Sequence, residues 1–403
     1  MLETLFYKLS TYLNLGLCSI STLTCVNAAE PPNKLNLNLP AGFEINIVAK
    51  LDGGGGDYFT GPRMLAFDKN GNLFVSLGKI NQIIMLPGAN IHAVSRAPVL
   101  VSNQLNAPNG LAFVGEDLLV ANQDGVVKLS QKDGKWSAPQ PFISGLASGG
   151  HTLKTLKIGP DNFLYINVGS SCNVCVEEDA TRATILRYTL EGKPAGGLEV
   201  VGRHNLAPIW ASGLRNSQGF AWHPKTGSMF ATNNGADMRS DKKGGKVNDE
   251  LPLEHFNKIE PGQNYGWPHC WGDGKGGMTQ DPNFPGANNF CKNATPPAIT
   301  FTSHSTPIGV TFLDKTNFPS EYKNDAIVAL HGSWNRAQLS GYKLVRVKFN
   351  GVTPVEVVDF ATGWLNNNEA WGRPVDVVTG PDGALYVSDD RAGYIYRIHY
   401  KKP

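Results

Sequence analysis

One pattern of apolar and polar positions recurs along the chain. A short apolar strand is followed by a turn rich in Gly, Asn or Asp, and then by a second strand in which apolar residues alternate. Asp-Gly and Asn-Gly pairs between such runs are strong β-hairpin signals. Six copies of this pattern lie at residues 64–76, 110–122, 156–168, 219–232, 309–330 and 375–388, the fifth stretched by an insertion between its strands.

The spacing of these copies predicts the fold. The anchors Phe67, Phe113 and Ile158 are 46 and 45 residues apart, and the later spacings are longer. A period near 45 residues is typical of four-stranded blades, and blades arranged in a ring bury each sheet face against a neighbour. We therefore predict an all-β fold, a six-bladed β-propeller, with a pair of β-sandwiches as the alternative. The anchors of the later copies are Trp222, Phe312 and Val378.

The ends of the chain and one insertion complete the predicted ring. The strand at 44–49 and the strand at 394–400 are expected to share a blade and close it. The segment 233–305 is rich in Gly, Pro and Asn and lies between the fourth and fifth anchors. Because a loop this long in a compact domain is usually functional, we expect long inserted loops over one mouth of the central channel.

Composition and charge narrow the class of protein. The 403-residue chain is 41% hydrophobic, 17% charged and has a net charge of +2. Disorder requires lower hydrophobicity and higher charge, and the lack of a long basic run argues against a nucleic-acid partner.

The amino-terminal residues resemble an export signal. Residues 9–29 carry no charge, and residues 26–28 offer a small-residue cleavage site. We predict a signal peptide over 1–28 and a single propeller domain over 29–403; a membrane anchor or a disordered leader is the alternative. Export would place the protein in the periplasm or outside the cell, with no stable membrane insertion after cleavage.

Four cysteines follow this leader. In an exported protein they are expected to form disulfides, and their spacing favours Cys172–Cys175 and Cys270–Cys291. A zinc site built from all four is the alternative, although the two pairs are far apart in sequence.

Several polar residues stand beside the predicted inner strands. His151 could act as a general base when neutral, or it could be a structural histidine. The guanidinium groups of Arg215, Arg336 and Arg373 occupy equivalent blade ends and would suit an anionic ligand; surface salt bridges are the other interpretation. The segment 233–237 could supply carbonyl and carboxylate oxygens to calcium or be an ordinary turn.

Six motifs occur in order over most of the chain and together carry a family resemblance. They are Gly150-His-Thr, Gly169-Ser-Ser-Cys-Asn-Val-Cys, Gly213-Leu-Arg-Asn, Asn264-Tyr-Gly-Trp-Pro, His331-Gly-Ser-Trp-Asn-Arg and Gly372-Arg-Pro-Val-Asp-Val. The chain resembles the soluble pyrroloquinoline-quinone-dependent sugar dehydrogenases, namely the aldose dehydrogenases and, more closely, the sorbosone dehydrogenase-like branch.

The resemblance implies a calcium-dependent quinoprotein that oxidises a small sugar, an aldose or a sorbosone-like aldehyde, at its anomeric carbon. Hydride would pass to the quinone, and the electrons would leave to an external acceptor because no haem motif is present. His151 matches the general base of the family, and Arg215 matches the arginine that contacts the quinone. The resemblance further places cofactor contacts at Asn109, Asn216, His304, Arg336 and Arg373, and calcium ligands at Gly235, Ala236 and Asp237.

The chain departs from the family pattern at two positions. Ser170 stands where the glucose-oxidising branch has the aspartate that orients the base, so either another group orients His151 or the base is weaker. Val375 replaces one of two arginines before the last repeat. A calcium-dependent lactonase or esterase on the same propeller class and a non-catalytic binding propeller remain the alternative functions.

Overall fold

A computed structural model describes residues 35–401 apart from 36, 54–59, 90–96 and 197–207. The predicted signal peptide over 1–28, with Cys18 and Cys25, lies outside the described residues.

Six four-stranded antiparallel sheets, the blades, make up the fold. In order from the innermost strand outward, blade 1 contains Leu65–Phe67, Leu73–Leu77, Gln82–Leu86 and Val99–Ser102; blade 2 contains Leu111–Val114, Asp117–Asn122, Gly125–Leu129 and Gln140–Ser144. Blade 3 contains Leu156–Ile158, Leu164–Val168, Thr184–Tyr188 and Ile209–Ser212; blade 4 contains Phe220–Trp222, Met229–Asn233, Glu254–Ile259 and Ile299–Phe301. Blade 5 contains Pro307–Phe312, Ala326–Leu330, Lys343–Asn350 and Thr353–Ala361; blade 6 contains Pro374–Thr379, Leu385–Asp389, Tyr394–Tyr400 and Phe43–Lys50.

The blades are arranged as a ring, which confirms the predicted six-bladed propeller. The innermost strand of blade 1 contacts those of blades 2 and 6, and the innermost strand of blade 5 contacts those of blades 4 and 6. Every predicted anchor lies in an innermost strand. The second strands of blades 1, 3, 4, 5 and 6 are buried along their whole length, because each is covered by a neighbouring blade on either side.

Blade 6 combines both ends of the described chain, as expected. Phe43–Lys50 pairs antiparallel with Tyr394–Tyr400, with a register shift between Ile47 and Ala49. Phe43 packs edge-on against Phe318 of the neighbouring blade, with ring centroids 4.7 Å apart. The strand therefore closes the ring through backbone pairing and through the apolar core between blades 5 and 6.

Outside the blades, the described residues form little other regular structure. Three short hairpins comprise Gln131–Lys132 with Lys135–Trp136, Cys270–Gly272 with Met278–Gln280, and Leu365–Asn366 with Glu369–Ala370. One α-helix, Asn288–Asn293, and two 3₁₀ turns, Gly78–Ile80 and Ser320–Tyr322, complete the described elements. None of the helices in the described part of the chain has the length and apolar character needed to cross a bilayer.

The long segment 233–305 is not one loop. It contains the third and fourth strands of blade 4, so the insertions proper are 234–253 and 260–298. The strand Glu254–Ile259 escapes pattern recognition because Glu254, His255 and Asn257 are buried polar residues in it. Disulfides link Cys270 to Cys291 and Cys172 to Cys175, which confirms the pairing that the spacing favours.

Candidate active site

A cavity of about 430 Å³ opens at one end of the channel. Most of its lining residues come from segments before innermost strands or after second strands of blades 3 to 6, while Glu254 begins the third strand of blade 4 and Ile308 lies in the innermost strand of blade 5. These segments meet because, in an antiparallel blade, the start of one strand and the end of the next lie at the same edge. The residues that line it are His151, Arg215, Asn216, Gln218, Asn234, Gly235, Asp237, Glu254, His304, Thr306, Ile308, His331, Trp334, Asn335 and Arg373.

His151 stands between this cavity and a second one of about 390 Å³, which also shares Asn216 and Gln218. The imidazole Nδ1 lies 2.8 Å from the Ser170 hydroxyl and 3.2 Å from the Ser170 carbonyl oxygen. That hydroxyl donates its own proton to the carbonyl oxygen of Cys172 at 2.7 Å. Both oxygens near Nδ1 are therefore acceptors, so Nδ1 carries the hydrogen and Nε2 keeps its lone pair.

The imidazole of His151 is neutral over most of the pH range. Burial, followed by the positive charge of Arg215, lowers its pKa to about 4. A neutral histidine with an unprotonated Nε2 is able to accept a proton near neutral pH.

Arg215 and Asp237 form the main ion pair of the cavity. The Arg215 Nη2 lies 2.9 Å from the Asp237 Oδ2, and the arginine side chain is 5% exposed. Asn173 contacts both residues through its side-chain amide. Burial and the ion pair hold the Arg215 guanidinium in one orientation. A ligand that enters the cavity therefore meets a positive charge at a fixed position.

The other Asp237 oxygen faces two more cavity residues. Its Oδ1 accepts a hydrogen bond from Asn335 at 2.8 Å and lies 3.6 Å from Nδ1 of His304. Burial favours the neutral carboxyl, but His304, Arg215 and Asn335 outweigh it and hold the pKa of Asp237 below its usual value. Burial likewise favours neutral His304, but Asp237 and Glu254 raise the pKa of that imidazole.

Glu254 is a buried carboxyl group in the wall of the cavity. Its Oε2 accepts the backbone N–H of Gly235 at 2.5 Å. Burial raises the pKa of Glu254 to about 7. A carboxyl in this position gains stability from a nearby cation, because the cation offsets the cost of burying negative charge.

A second ionic network supports the other side of the cavity. Asp390 accepts from Arg63 at 2.6 Å and pairs with His331 Nε2 at 2.8 Å. Arg63 also donates to Gln218 and Asn109, each at 3.1 Å. Arg373 donates to the carbonyl oxygens of His331 and Gly332 at 3.1 and 2.6 Å. Burial, and then Arg373, lower the pKa of His331 to about 4, so this imidazole is neutral near pH 7.

The structure brings most of the sequence-predicted site residues together at the cavity: His151, Arg215, Asn216, Gly235, Asp237, His304 and Arg373. Asn109, Ala236 and Arg336 are not among its lining residues. Asn109 is buried behind it and accepts from Arg63, and Ala236 faces a separate small cavity. Arg336 pairs with Glu250 and donates to the Ser303 carbonyl at 3.2 Å.

Other lining residues escaped the sequence analysis. Trp334 and Asn335 lie within the motif that begins at His331, and Asn234 lies within the segment 233–237. Membership of these segments was therefore a sequence signal that could have identified the three residues as part of the site. Glu254 carried no such signal, since a lone acid between apolar and polar neighbours is common on any surface strand. Only burial at the cavity distinguishes it.

Three amide oxygens in the cavity wall are buried without a hydrogen-bond partner among the described residues: the Oδ1 atoms of Asn216, Asn234 and Asn335. A buried acceptor left unpaired costs about 1–3 kcal/mol. Together with the carboxylates of Asp237 and Glu254 they form an oxygen donor set that suits calcium, a hard cation. The guanidinium groups of Arg215 and Arg373 suit an anionic organic ligand, and the cavity volume is in the usual range for small molecules.

The chain is similar to a protein-family model and to several known proteins over most of its length. A family model described as TrAA12-like matches residues 39–401. An uncharacterised protein of Borreliella burgdorferi is 26% identical over 98% of both chains. A pyrroloquinoline quinone-dependent pyranose dehydrogenase of Coprinopsis cinerea is 25% identical over 94% of this chain, which spans 56% of that protein.

Solved structures share the fold. A Trichoderma reesei structure of carbohydrate-active enzyme family AA12 has a TM-score of 0.75 at 19% identity and covers 93% of this chain and 100% of its own. The holo form of the PQQ domain of the Coprinopsis cinerea pyranose dehydrogenase has a TM-score of 0.74 at 22% identity and covers 93% of this chain and 99% of its own.

Proposed function

The chain belongs to the TrAA12-like family, and from that premise we propose that it is a sugar dehydrogenase that uses pyrroloquinoline quinone and calcium. The observation that carries the proposal is the convergence, in one cavity, of a neutral histidine, two arginines and three unpaired amide oxygens. The name of the related Coprinopsis cinerea pyranose dehydrogenase agrees with it.

The chain's own residues would hold both groups. Arg373 would bind a carboxylate of the cofactor through charge-assisted hydrogen bonds, and Arg215 would contact the quinone itself. Asp237, Glu254 and the amide oxygens of Asn216 and Asn234 would bind calcium, with the carbonyls of Gly235 and Ala236 as further candidates. When bound, the quinone supplies a two-electron acceptor for hydride and calcium withdraws negative charge from it.

His151 would act as the general base. Its Nδ1–H is donated to Ser170, which directs the unprotonated Nε2 to accept the proton of the sugar's anomeric hydroxyl. The low pKa of about 4 keeps this nitrogen available at neutral pH. An aspartate is therefore not needed to fix the tautomer, although a neutral serine leaves the base weaker than a carboxylate would.

The remaining parts of the proposal concern location and electron transfer. The two disulfides agree with a periplasmic or secreted protein, and the uncharged stretch at 9–29 agrees with a signal peptide over 1–28 and one domain over 29–403. An external carrier would take up the electrons. The sugar is a small aldose or a sorbosone-like aldehyde.

Reconstitution tests the proposal. The purified protein is titrated with pyrroloquinoline quinone in calcium or in chelator, and the quinone absorbance is followed as aldoses and a dye acceptor are added. Calcium-dependent binding followed by sugar-driven reduction supports the proposal, and absence of binding overturns it. His151→Ala is expected to bind the cofactor and lose turnover, whereas His399→Ala, at a half-exposed histidine of blade 6, retains both.

A calcium-dependent lactonase is the second candidate. The observation that favours it is that Glu254, Asp237, Asn216 and Asn234 line one cavity. Arg215 and Arg373 line the same cavity and weaken this candidate, because hydrolysis at a single calcium ion does not require two arginines. If the protein bound no quinone and hydrolysed lactones with calcium alone, the lactonase would be the function and the dehydrogenase proposal would be rejected.

A further inference from the structure

The loop after the second strand of blade 3 meets the cavity network through one exposed residue. Asn173 lies within the ring that the Cys172–Cys175 disulfide closes. Its Oδ1 accepts from Nη2 of Arg215 at 2.9 Å and from the backbone N–H of Asp237 at 2.8 Å. Its Nδ2 donates to the carbonyl oxygen of Asp237 at 2.9 Å. One side-chain amide therefore joins the two members of the ion pair.

The backbone of Asn173 adds to this arrangement. Its carbonyl oxygen accepts from Nε of Arg215 at 3.1 Å and from the indole N–H of Trp267 at 3.2 Å. Arg215 is thus held at Nε and Nη2, while among the described residues Nη1 makes only a long contact of 3.5 Å with the Asn234 carbonyl. The plane of the guanidinium group is fixed by Asn173, and its Nη1 remains the donor best placed for a ligand.

The loop itself has no strand or helix to hold it over residues 169–183. Two interactions stabilise this loop. One is the disulfide between Cys172 and Cys175. The other is the buried carboxylate of Glu177, which accepts hydrogen bonds from the Ser171 backbone N–H at 2.7 Å and from the Ser171 hydroxyl at 2.8 Å. The same loop supplies the Cys172 carbonyl that orients the Ser170 hydroxyl. We call residues 170–175 the clamp loop.

We propose that Asn173 is a positioning residue, which the disulfide-closed clamp loop holds in place so that Arg215 presents its guanidinium group to an anionic ligand. Asn is suited to this position because it donates to one backbone group of Asp237 and accepts from another. Aspartate would lack the donor and alanine would lack both. Asn173 is exposed, so its truncation leaves no buried cavity.

The first test needs no cofactor. Arg215 is 4% exposed, so an arginine-specific dicarbonyl reagent should modify it slowly in the wild-type protein, as quantified by mass spectrometry of its peptide. In Asn173→Ala and in the Cys172→Ser/Cys175→Ser double variant, modification of Arg215 is expected to be at least about tenfold faster. Asn70→Ala, in an exposed turn of blade 1, is the matched control and leaves the rate unchanged. Equal protection of Arg215 in all variants would overturn the proposal.

The second test rests on the proposed function. Asn173→Ala is expected to weaken binding of pyrroloquinoline quinone about tenfold, as the loss of roughly one charged hydrogen bond, with an unchanged thermal unfolding midpoint. Ser170→Ala should instead lower kcat with little change in cofactor affinity. Parallel loss of affinity, kcat and unfolding midpoint in both variants would make the loop merely structural. Failure of the wild-type protein to bind the quinone would reject the proposed function, while the reagent experiment still decides the role of Asn173.

Discussion

His151 and Ser170 are joined by a hydrogen bond of 2.8 Å between Nδ1 and Oγ. The hydroxyl is neutral, so it fixes the tautomer of the imidazole without placing a negative charge beside it, and burial and Arg215 lower the pKa of His151 to about 4. An aspartate at position 170 would both orient the imidazole of His151 and increase its basicity. In this protein Ser170 orients the imidazole, and other groups control its pKa.

Substitution of Ser170 tests this separation. Ser170→Ala removes one hydrogen bond, worth about 0.5–1.5 kcal/mol, so kcat should fall roughly two- to twelvefold. Ser170→Asp places a negative charge beside Nδ1, which raises the pKa of His151 by about one to three units. Because the base must be neutral, the acid limb of the kcat profile moves upward from about pH 4 by the same amount.

The measurement is kcat against pH for the reconstituted variants. Ser228→Ala, in a surface turn of blade 4, serves as the control and should keep the wild-type profile. An acid limb that stays in place in Ser170→Asp would show that His151 is not the titrating base.

Glu254 is expected to contribute to calcium affinity. Glu254→Gln keeps the size of the side chain and removes its charge, so calcium binding to the cofactor-free protein should weaken about tenfold or more. Isothermal titration calorimetry measures this directly. Glu260→Gln, at an exposed position just beyond the same strand, is the matched control, and equal affinities in the two variants would remove Glu254 from the site.

His255 should make the protein sensitive to acid. It is fully buried, and burial lowers its pKa to about 4, so the folded state takes up its proton only below that value. The unfolded chain protonates near pH 6.5. Stability from this group is therefore complete above about pH 6.5 and is lost as the pH falls towards 4, by up to about 1.4 kcal/mol per pH unit.

The variant His255→Gln checks this linkage. Its amide oxygen can replace Nε2 as the acceptor for the Gly272 N–H, but it does not titrate. Urea unfolding at pH 7 and pH 4.5 should show a loss of stability that is smaller by about 2–3 kcal/mol in the variant. An identical loss in both proteins would mean that other groups control the acid response.

Phe43 should contribute strongly to ring closure. It is 9% exposed and packs against Phe318, Tyr322, Phe360 and Tyr400. Phe43→Ala is expected to cost about 3–5 kcal/mol of unfolding free energy, measured by urea denaturation. Phe290→Ala, at a ring that is 39% exposed, should cost less than about 1 kcal/mol; similar costs would argue against closure through Phe43.

The hydrophobic pattern was sufficient to predict the propeller, because hairpin signals are local. An apolar strand, an Asx-Gly turn and a second strand are neighbours in sequence, so each copy identifies its own blade, and the anchors from Phe67 to Val378 all lie in innermost strands. The predicted pairing of the two terminal strands was confirmed for a related reason. Phe43–Lys50 and Tyr394–Tyr400 each show the alternating pattern of a strand, and each needs a second strand to pair with its backbone groups. The strand Glu254–Ile259 was missed because its buried polar residues break that pattern.

The sequence alone identified the types of residue in the candidate site, since His151, Arg215 and Asp237 lie in recognisable motifs beside blade ends. Only the tertiary structure decided which of them meet and what controls them. Asn173 and Asp237 are 64 residues apart yet share two hydrogen bonds, Glu254 enters the cavity from a strand without a motif, and Arg336 lies outside the lining residues with Glu250 as its partner. The physical reason is that burial and ion pairing set the charge and orientation of these groups. Both arise from contacts between blades that are distant in sequence, and such contacts produce no periodic pattern along the chain.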